Sequence, residues 1–132
     1  MTVDAIREFC LTLRGSNENI QWGNNLVFKV GPKIFAILDL GGRSAAKLSF
    51  KCRPEEFAEM IEQQGVLPAP YLARAKWIAL QELNALPSNE LKCRLRDSYE
   101  LVVAGLPGKL KRQLVAQRTS PSKDAVDKAP VR

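Results

Sequence analysis

Histidine is absent from this 132-residue chain. Without an imidazole it cannot assemble a Ser-His-Asp or Cys-His pair, a histidine-ligated metal site or an imidazole proton relay. Cysteine is sparse, with Cys10, Cys52 and Cys93 odd in number and without a C-x-x-C spacing. That pattern fits neither a disulfide framework nor a zinc site and reads as reduced cytosolic thiols. No glycine-rich phosphate loop is present, since Gly41-Gly42 is a turn pair without a helix start behind it. No window approaches the ~18 apolar residues of a membrane span, and Asp4, Arg7 and Glu8 interrupt the N-terminal stretch where a signal peptide needs an unbroken apolar core. The expectation is a cytoplasmic protein that is not an enzyme, without metal or cofactor and without a membrane partner.

What the chain does carry is positive charge, 20 Lys+Arg against 14 Asp+Glu for a net +6 and a pI of about 9.5. Such an excess favours polyanionic partners.

The apolar residues mark out the elements. Ile6, Phe9, Cys10 and Leu13 recur at helical spacing behind Thr2, a capping residue, with Gly15 as the stop. Cys10 lies on that stripe and reads as a buried, inert thiol. Ser16 to Asn25 is polar and reads as a loop around Ile20 and Trp22, followed by strands at Leu26–Val30 and Ile34–Leu40 joined by Gly31-Pro32-Lys33. A third strand, Ala45–Cys52, alternates Ala46, Leu48, Phe50 and Cys52 with Lys47, Ser49 and Lys51. Pro54, Glu55 and Glu56 open a second helix that runs to Gly65, with Glu55, Glu59 and Glu62 as its solvated side. Val66–Tyr71 holds two prolines and reads as a connector to a strand at Ala75–Glu82, where Trp77 reads as core. Ser88 caps a long helix to Ala104, closed by Gly105, and Pro107 permits one further helical segment. The segment from Gln117 to Arg132 has too few apolar residues to fold and is expected to be a disordered tail, leaving residues 1–116 as the domain.

This order predicts an α+β fold, a two-layer sandwich with an antiparallel sheet and helices on one face, in the order α-β3-α-β2-α. If Leu26, Phe28 and Val30 face the helices, period-two geometry sends Lys29, Lys47 and Lys51 to the other face. Placing Ile34, Ala36 and Leu38 inward then puts Phe35 and Ile37 beside those lysines. Arg53, Arg74 and Lys76 extend the charge, and Lys109, Lys111 and Arg112 form a second cluster. A basic, partly apolar face suits nucleic acid or a dimer interface; alternatively the lysines are ordinary solubilising charges. Trp22 reads either as a base-stacking platform or as a core piece.

Six blocks of the chain resemble the MmcQ/YjbR-like family: Trp22-Gly23; Leu26 to Gly31 with Lys33 and Phe35; Leu48 to Cys52 with Pro54-Glu55; Ala69 to Trp77; Ser98 to Val103; and Leu106-Pro107 with Lys109-Leu110. The resemblance implies a two-layer bacterial domain similar to secretion chaperones and to a double-wing DNA-binding domain, and a DNA-binding label that rests on likeness of fold. Many relatives have a histidine where this chain has Lys76, so a titratable charge becomes permanent there. The expectation is therefore a DNA-binding protein that contacts phosphates through a basic open sheet face. The alternative is a protein-interaction or chaperone-like module that dimerises or holds a client through the same face.

Overall fold

A computed structural model describes residues 1–42, 45–70 and 72–119, with the backbone alone for 115–119. The chain runs α1 (Val3–Thr12), β1 (Ser16–Gln21), β2 (Asn25–Val30), β3 (Lys33–Asp39), β4 (Leu48–Lys51), a 3-10 turn (Pro54–Glu56), α2 (Phe57–Met60), β5 (Val66–Pro68), a second 3-10 turn (Ala73–Ala75), β6 (Trp77–Leu80), α3 (Ser88–Ala104) and α4 (Gly108–Thr119). The strands form one antiparallel sheet in the order β1-β2-β3-β4-β6-β5. The α+β class and the antiparallel sheet are as the sequence predicts. Of the expected tail, α4 takes residues 117–119, and 120–132 lie outside the described residues.

Two strands appear where sequence periodicity indicates none. Ser16–Gln21, expected as a loop, is the edge strand β1, paired with β2 from Ser16↔Val30 to Gln21↔Asn25. Its residues are all half-buried or exposed, which fits an edge where hydrophobic alternation has little to bury. Val66–Pro68, expected as a connector, is the opposite edge β5, and its proline is tolerated there because an edge strand has one unpaired side.

Leu26, Phe28, Ala36, Leu38, Leu48, Phe50, Ile78 and Leu80 are buried on one face of the sheet. Helix α3 lies across β2, β3 and β4, α1 packs against β1 and α3, and α2 packs against β6. Thr2 caps α1 as expected, its Oγ1 accepting from Ala5 N–H at 3.0 Å. Ser88 is the first helical residue of α3 rather than its cap, a position held by Pro87. Helix α2 ends at Met60, well short of Gly65. Arg7 on α1 holds the Glu18 carboxylate on β1 through Nε and Nη2, and these hydrogen bonds lower the Glu18 pKa. The β2–β3 connection is the pair Gly31-Pro32; Gly31 has φ +58, and a Cβ there would lie 3.6 Å from Leu110 Cδ1 of α4. Only glycine enters that conformation without strain.

The register contains one irregularity that changes which side chains are inside. Phe28 pairs with Ala36, but the next residue, Lys29, pairs with Ile34, so Phe35 is an extra residue on β3. Both Phe35 and Ala36 are consequently buried in the main core. The Phe35 ring stands 5.5 Å from that of Tyr99 in an edge-to-face contact. Contrary to the alternation read from sequence, Phe35 is 0% exposed and Ile34 lies on the opposite face. The bulge breaks the period of two.

Ser98 of α3 fills the gap that the bulge opens. Its hydroxyl accepts from Lys51 N–H at 2.9 Å and donates to the Phe35 carbonyl at 2.6 Å. Ser98→Ala would leave both backbone groups unpaired in the core, and we expect a loss of about 1–3 kcal/mol in urea unfolding. A change within about 0.5 kcal/mol, typical of a surface substitution, would show that this bridge contributes little.

Candidate nucleic-acid interface

The sheet face away from the helices is organised in rows by strand register. One row pairs Asn17, Lys29 and Ile34 across β1, β2 and β3 and, past the bulge at Phe35, continues on the same face with the pair Lys51 and Trp77 on β4 and β6. The middle row is Asn19, Val27, Ile37, Ser49, Ala79 and Leu67. At the end nearest the β1–β2 turn, Gln21 pairs with Asn25 and Asn25 with Asp39, and the Asp39 N–H donates to the Lys47 carbonyl.

This face is not bare throughout. Trp77, Ala69 and Ala79 form a second small core with Ile34, Ile37, Ala46, Leu67 and Leu72 packed against it. Trp77 is core, as expected, at 7% exposure, but on the side away from the helices. Its cover is the segment after Pro68, tied down by Ala69 N–H to Trp77 O and Trp77 N–H to Leu72 O. Left in water, these side chains would form a large apolar patch, which a monomer rarely exposes.

The expected contact residues separate into groups. Lys29 and Lys51 stand in one row with β3 between them, roughly 10 Å apart at ~4.8 Å per strand, and both side chains are half-buried. Arg74 is exposed on the 3-10 turn of the covering segment. No carboxylate shares their row. Lys47 lies at the other end, in a shallow cleft of about 380 Å³ lined also by Asp39 and Glu82, whose charges offset its own.

Arg53 and Lys76 are directed elsewhere. Arg53 Nη2 bonds Asp97 Oδ1 of α3 at 3.2 Å, and that hydrogen bond raises the Arg53 pKa. Lys76 takes a left-handed conformation with φ +66, and its Nζ sits 4.9 Å over the Phe57 ring of α2, a cation–π contact in the helical layer. The Lys76 charge therefore points away from the face. Lys109, Lys111 and Arg112 are exposed on α4, which packs Leu110 and Leu114 against the main core on the helical side of the sheet.

Sequence reasoning missed Asp97, Glu56 and Ser98. Glu56 pairs with Arg94, whereas Glu55, Glu59 and Glu62 are exposed as expected. The signal for Ser98 was its place on the α3 stripe, where Leu91, Leu95, Ser98 and Val102 are the buried residues at helical spacing. Among the described residues, no group of three or more His, Cys, Asp or Glu could hold a metal ion, and no helix is long and apolar enough to cross a membrane.

The chain matches the YjbR family over residues 11–101, which includes all six strands. It belongs to that family. It is 29% identical over 122 residues to the uncharacterized protein YjbR of Escherichia coli K12, covering 89% of this chain and 99% of that one. The YjbR protein of E. coli O157:H7 matches to the same extent. A crystal structure of a protein from Pseudomonas syringae superposes with a TM-score of 0.64 at 19% identity, covering 76% of this chain and 98% of that one, which shows a shared fold. The YjbR match takes in Lys29, Lys51 and Arg74 and ends before α4, so the Lys109–Arg112 cluster lies outside it.

The cysteines give a direct check on packing. Burial pushes the Cys10 thiol up to about 12 and raises that of Cys52, while Cys93 is exposed on α3. Since the thiolate is the reactive species, a disulfide-exchange reagent at pH 8 should titrate one thiol quickly in the folded protein. The other two should react only in denaturant. Fast reaction of more than one would contradict the buried placement of Cys10 and Cys52.

Proposed function

We propose that this YjbR-family protein binds DNA through its phosphate backbone, with Lys29, Lys51 and Arg74 as the contacting cations. The observation that carries the reading is the row that sets Lys29 and Lys51 on one face without an intervening carboxylate. Arg74 lies on the turn that covers the end of that row. The amides of Asn17 and Asn19 on the neighbouring edge strand add donors and acceptors of the kind that position a backbone without reading sequence. The ammonium groups of Lys29 and Lys51 on half-buried stems are partly pre-ordered, which lowers the entropy lost on binding.

Binding of this kind depends on released counterions. With three phosphates neutralised, the slope of log K against log salt is about −2.7, and affinity for duplex DNA falls about 40-fold between about 50 and about 200 mM salt. Fluorescence anisotropy of a labelled duplex at both concentrations measures it. Absence of binding at the lower salt would refute the reading.

The alternative, a protein-interaction module, loses its expected anchor, because Phe35 is in the core. Among the described residues, the large apolar ones left exposed are Val3, Leu11, Ile20, Trp22 and Leu40.

A further inference from the structure

Trp22 stands at the tip of the β1–β2 hairpin, between Gln21 and Asn25, which pair with each other. It carries two separate liabilities. The residue is 65% exposed, the highest among the exposed large hydrophobic residues described. Its backbone has φ +48, one of two positive values among the described non-glycine residues, in a region that suits glycine or asparagine and penalises bulky side chains. The Asn25 Nδ2 donates to the Trp22 carbonyl at 3.0 Å and closes the turn. That bond uses the Trp22 backbone, so any residue at this position can make it. The turn's hydrogen bond thus does not need the indole, and the local backbone geometry would suit another residue better. A bulky group held in an unfavourable conformation by its surroundings points to use by a ligand.

We propose that Trp22 is a base-stacking platform and that the preferred ligand is a single-stranded or locally unpaired nucleic acid. This rests on the nucleic-acid reading above. In duplex DNA the base faces are covered by their neighbours, so an exposed indole can stack only on an end or on an unpaired base; a single strand offers a face at every nucleotide. Lys29 lies four residues along β2 from Asn25, a rise of roughly 13 Å. One strand lying along β2 would therefore reach both the indole and the Lys29–Lys51 row. Between them it passes Asn25 and the amide side of β1, Asn19 and Gln21.

The test uses the full chain with a fluorescein-labelled oligothymidylate and a mixed-sequence duplex of equal length. Intrinsic fluorescence separates the two tryptophans, because Trp77 is buried and Trp22 is exposed. Oligothymidylate should quench the red-edge emission of Trp22. Trp22→Asn should weaken oligothymidylate binding about 5- to 100-fold, change duplex affinity less than twofold, and leave the melting temperature equal or higher because asparagine tolerates the left-handed conformation. A lower melting temperature in Trp22→Asn, with oligothymidylate affinity unchanged, would assign Trp22 a structural role and overturn the proposal. Equal binding of both nucleic acids, without quenching and unaffected by the substitution, overturns it while the DNA-binding reading stands. No binding of either overturns both. A blue shift of Trp22 emission on concentrating the protein alone, lost in Trp22→Asn, would mean that a second copy covers the indole and would also overturn it.

Discussion

Phe35→Ala is expected to lower stability by about 3–5 kcal/mol. For a domain of this size that is roughly 10–20 °C in melting temperature. The ring is fully buried, touches Phe28 at 6.3 Å and Tyr99 at 5.5 Å between centroids, and fills the space between β3 and α3. Its removal leaves a cavity that the surroundings cannot readily close, because the Phe35 carbonyl is held by Ser98 and the ring of Tyr99 by its own hydroxyl on the Arg14 carbonyl. Urea unfolding measures the loss, and a change of about 0.5 kcal/mol or less, typical of a surface substitution, would contradict the full burial of the ring. Phe35→Glu is unsuitable as a test of dimerisation, since a buried unpaired carboxylate would unfold the domain.

The bulge at Phe35 shows where the sequence stops being readable. Across Leu48–Cys52, apolar and polar residues alternate, so the buried face of β4 follows directly from period two. The run Ile34-Phe35-Ala36-Ile37-Leu38 has no polar residue to mark a face, because both faces of β3 are covered, one by α3 and the other by the second core around Trp77. Any register satisfies such a pattern. β1 fails for the opposite reason. Ser16–Gln21 has one apolar residue, and it is a strand because β2 offers it a hydrogen-bonding edge and the Trp22-Gly23 turn brings it back. The helices were easier, since the wide stripe of α3 and the capped stripe of α1 are local properties.

The same distinction governs the site. That Lys29 and Lys51 share a face follows from strand parity, and the register upholds it. Which cations are already engaged depends on distant partners. Arg53 is taken by Asp97, 44 residues later in the chain, and Lys76 by the Phe57 ring across the helical layer. No local pattern announces either contact, so a count of positive residues overstates the charge available to a ligand. Lys47, set against Asp39 and Glu82 in one cleft, is a third case.

Replacing Lys29, Lys51 and Arg74 together by glutamine is expected to abolish measurable duplex binding at about 200 mM salt. It should also flatten the salt dependence from a slope of about −2.7 towards zero. Each single substitution should remove close to 0.9 from the slope and weaken all duplex sequences alike, because phosphate contacts carry no base information. Glutamine keeps most of each stem and leaves these surface positions within about 0.5 kcal/mol of the parent stability, so lost binding would not reflect unfolding. Two control variants sharpen the result. Arg53→Gln breaks the pair with Asp97 yet should leave the slope unchanged, since that guanidinium is already committed. Lys109, Lys111 and Arg112 changed together to glutamine should likewise leave it unchanged, because α4 presents them on another surface. If the α4 variant flattens the slope and the sheet variant does not, the anion-binding surface is the C-terminal helix, and the row across β2 and β4 serves only to keep the protein in solution.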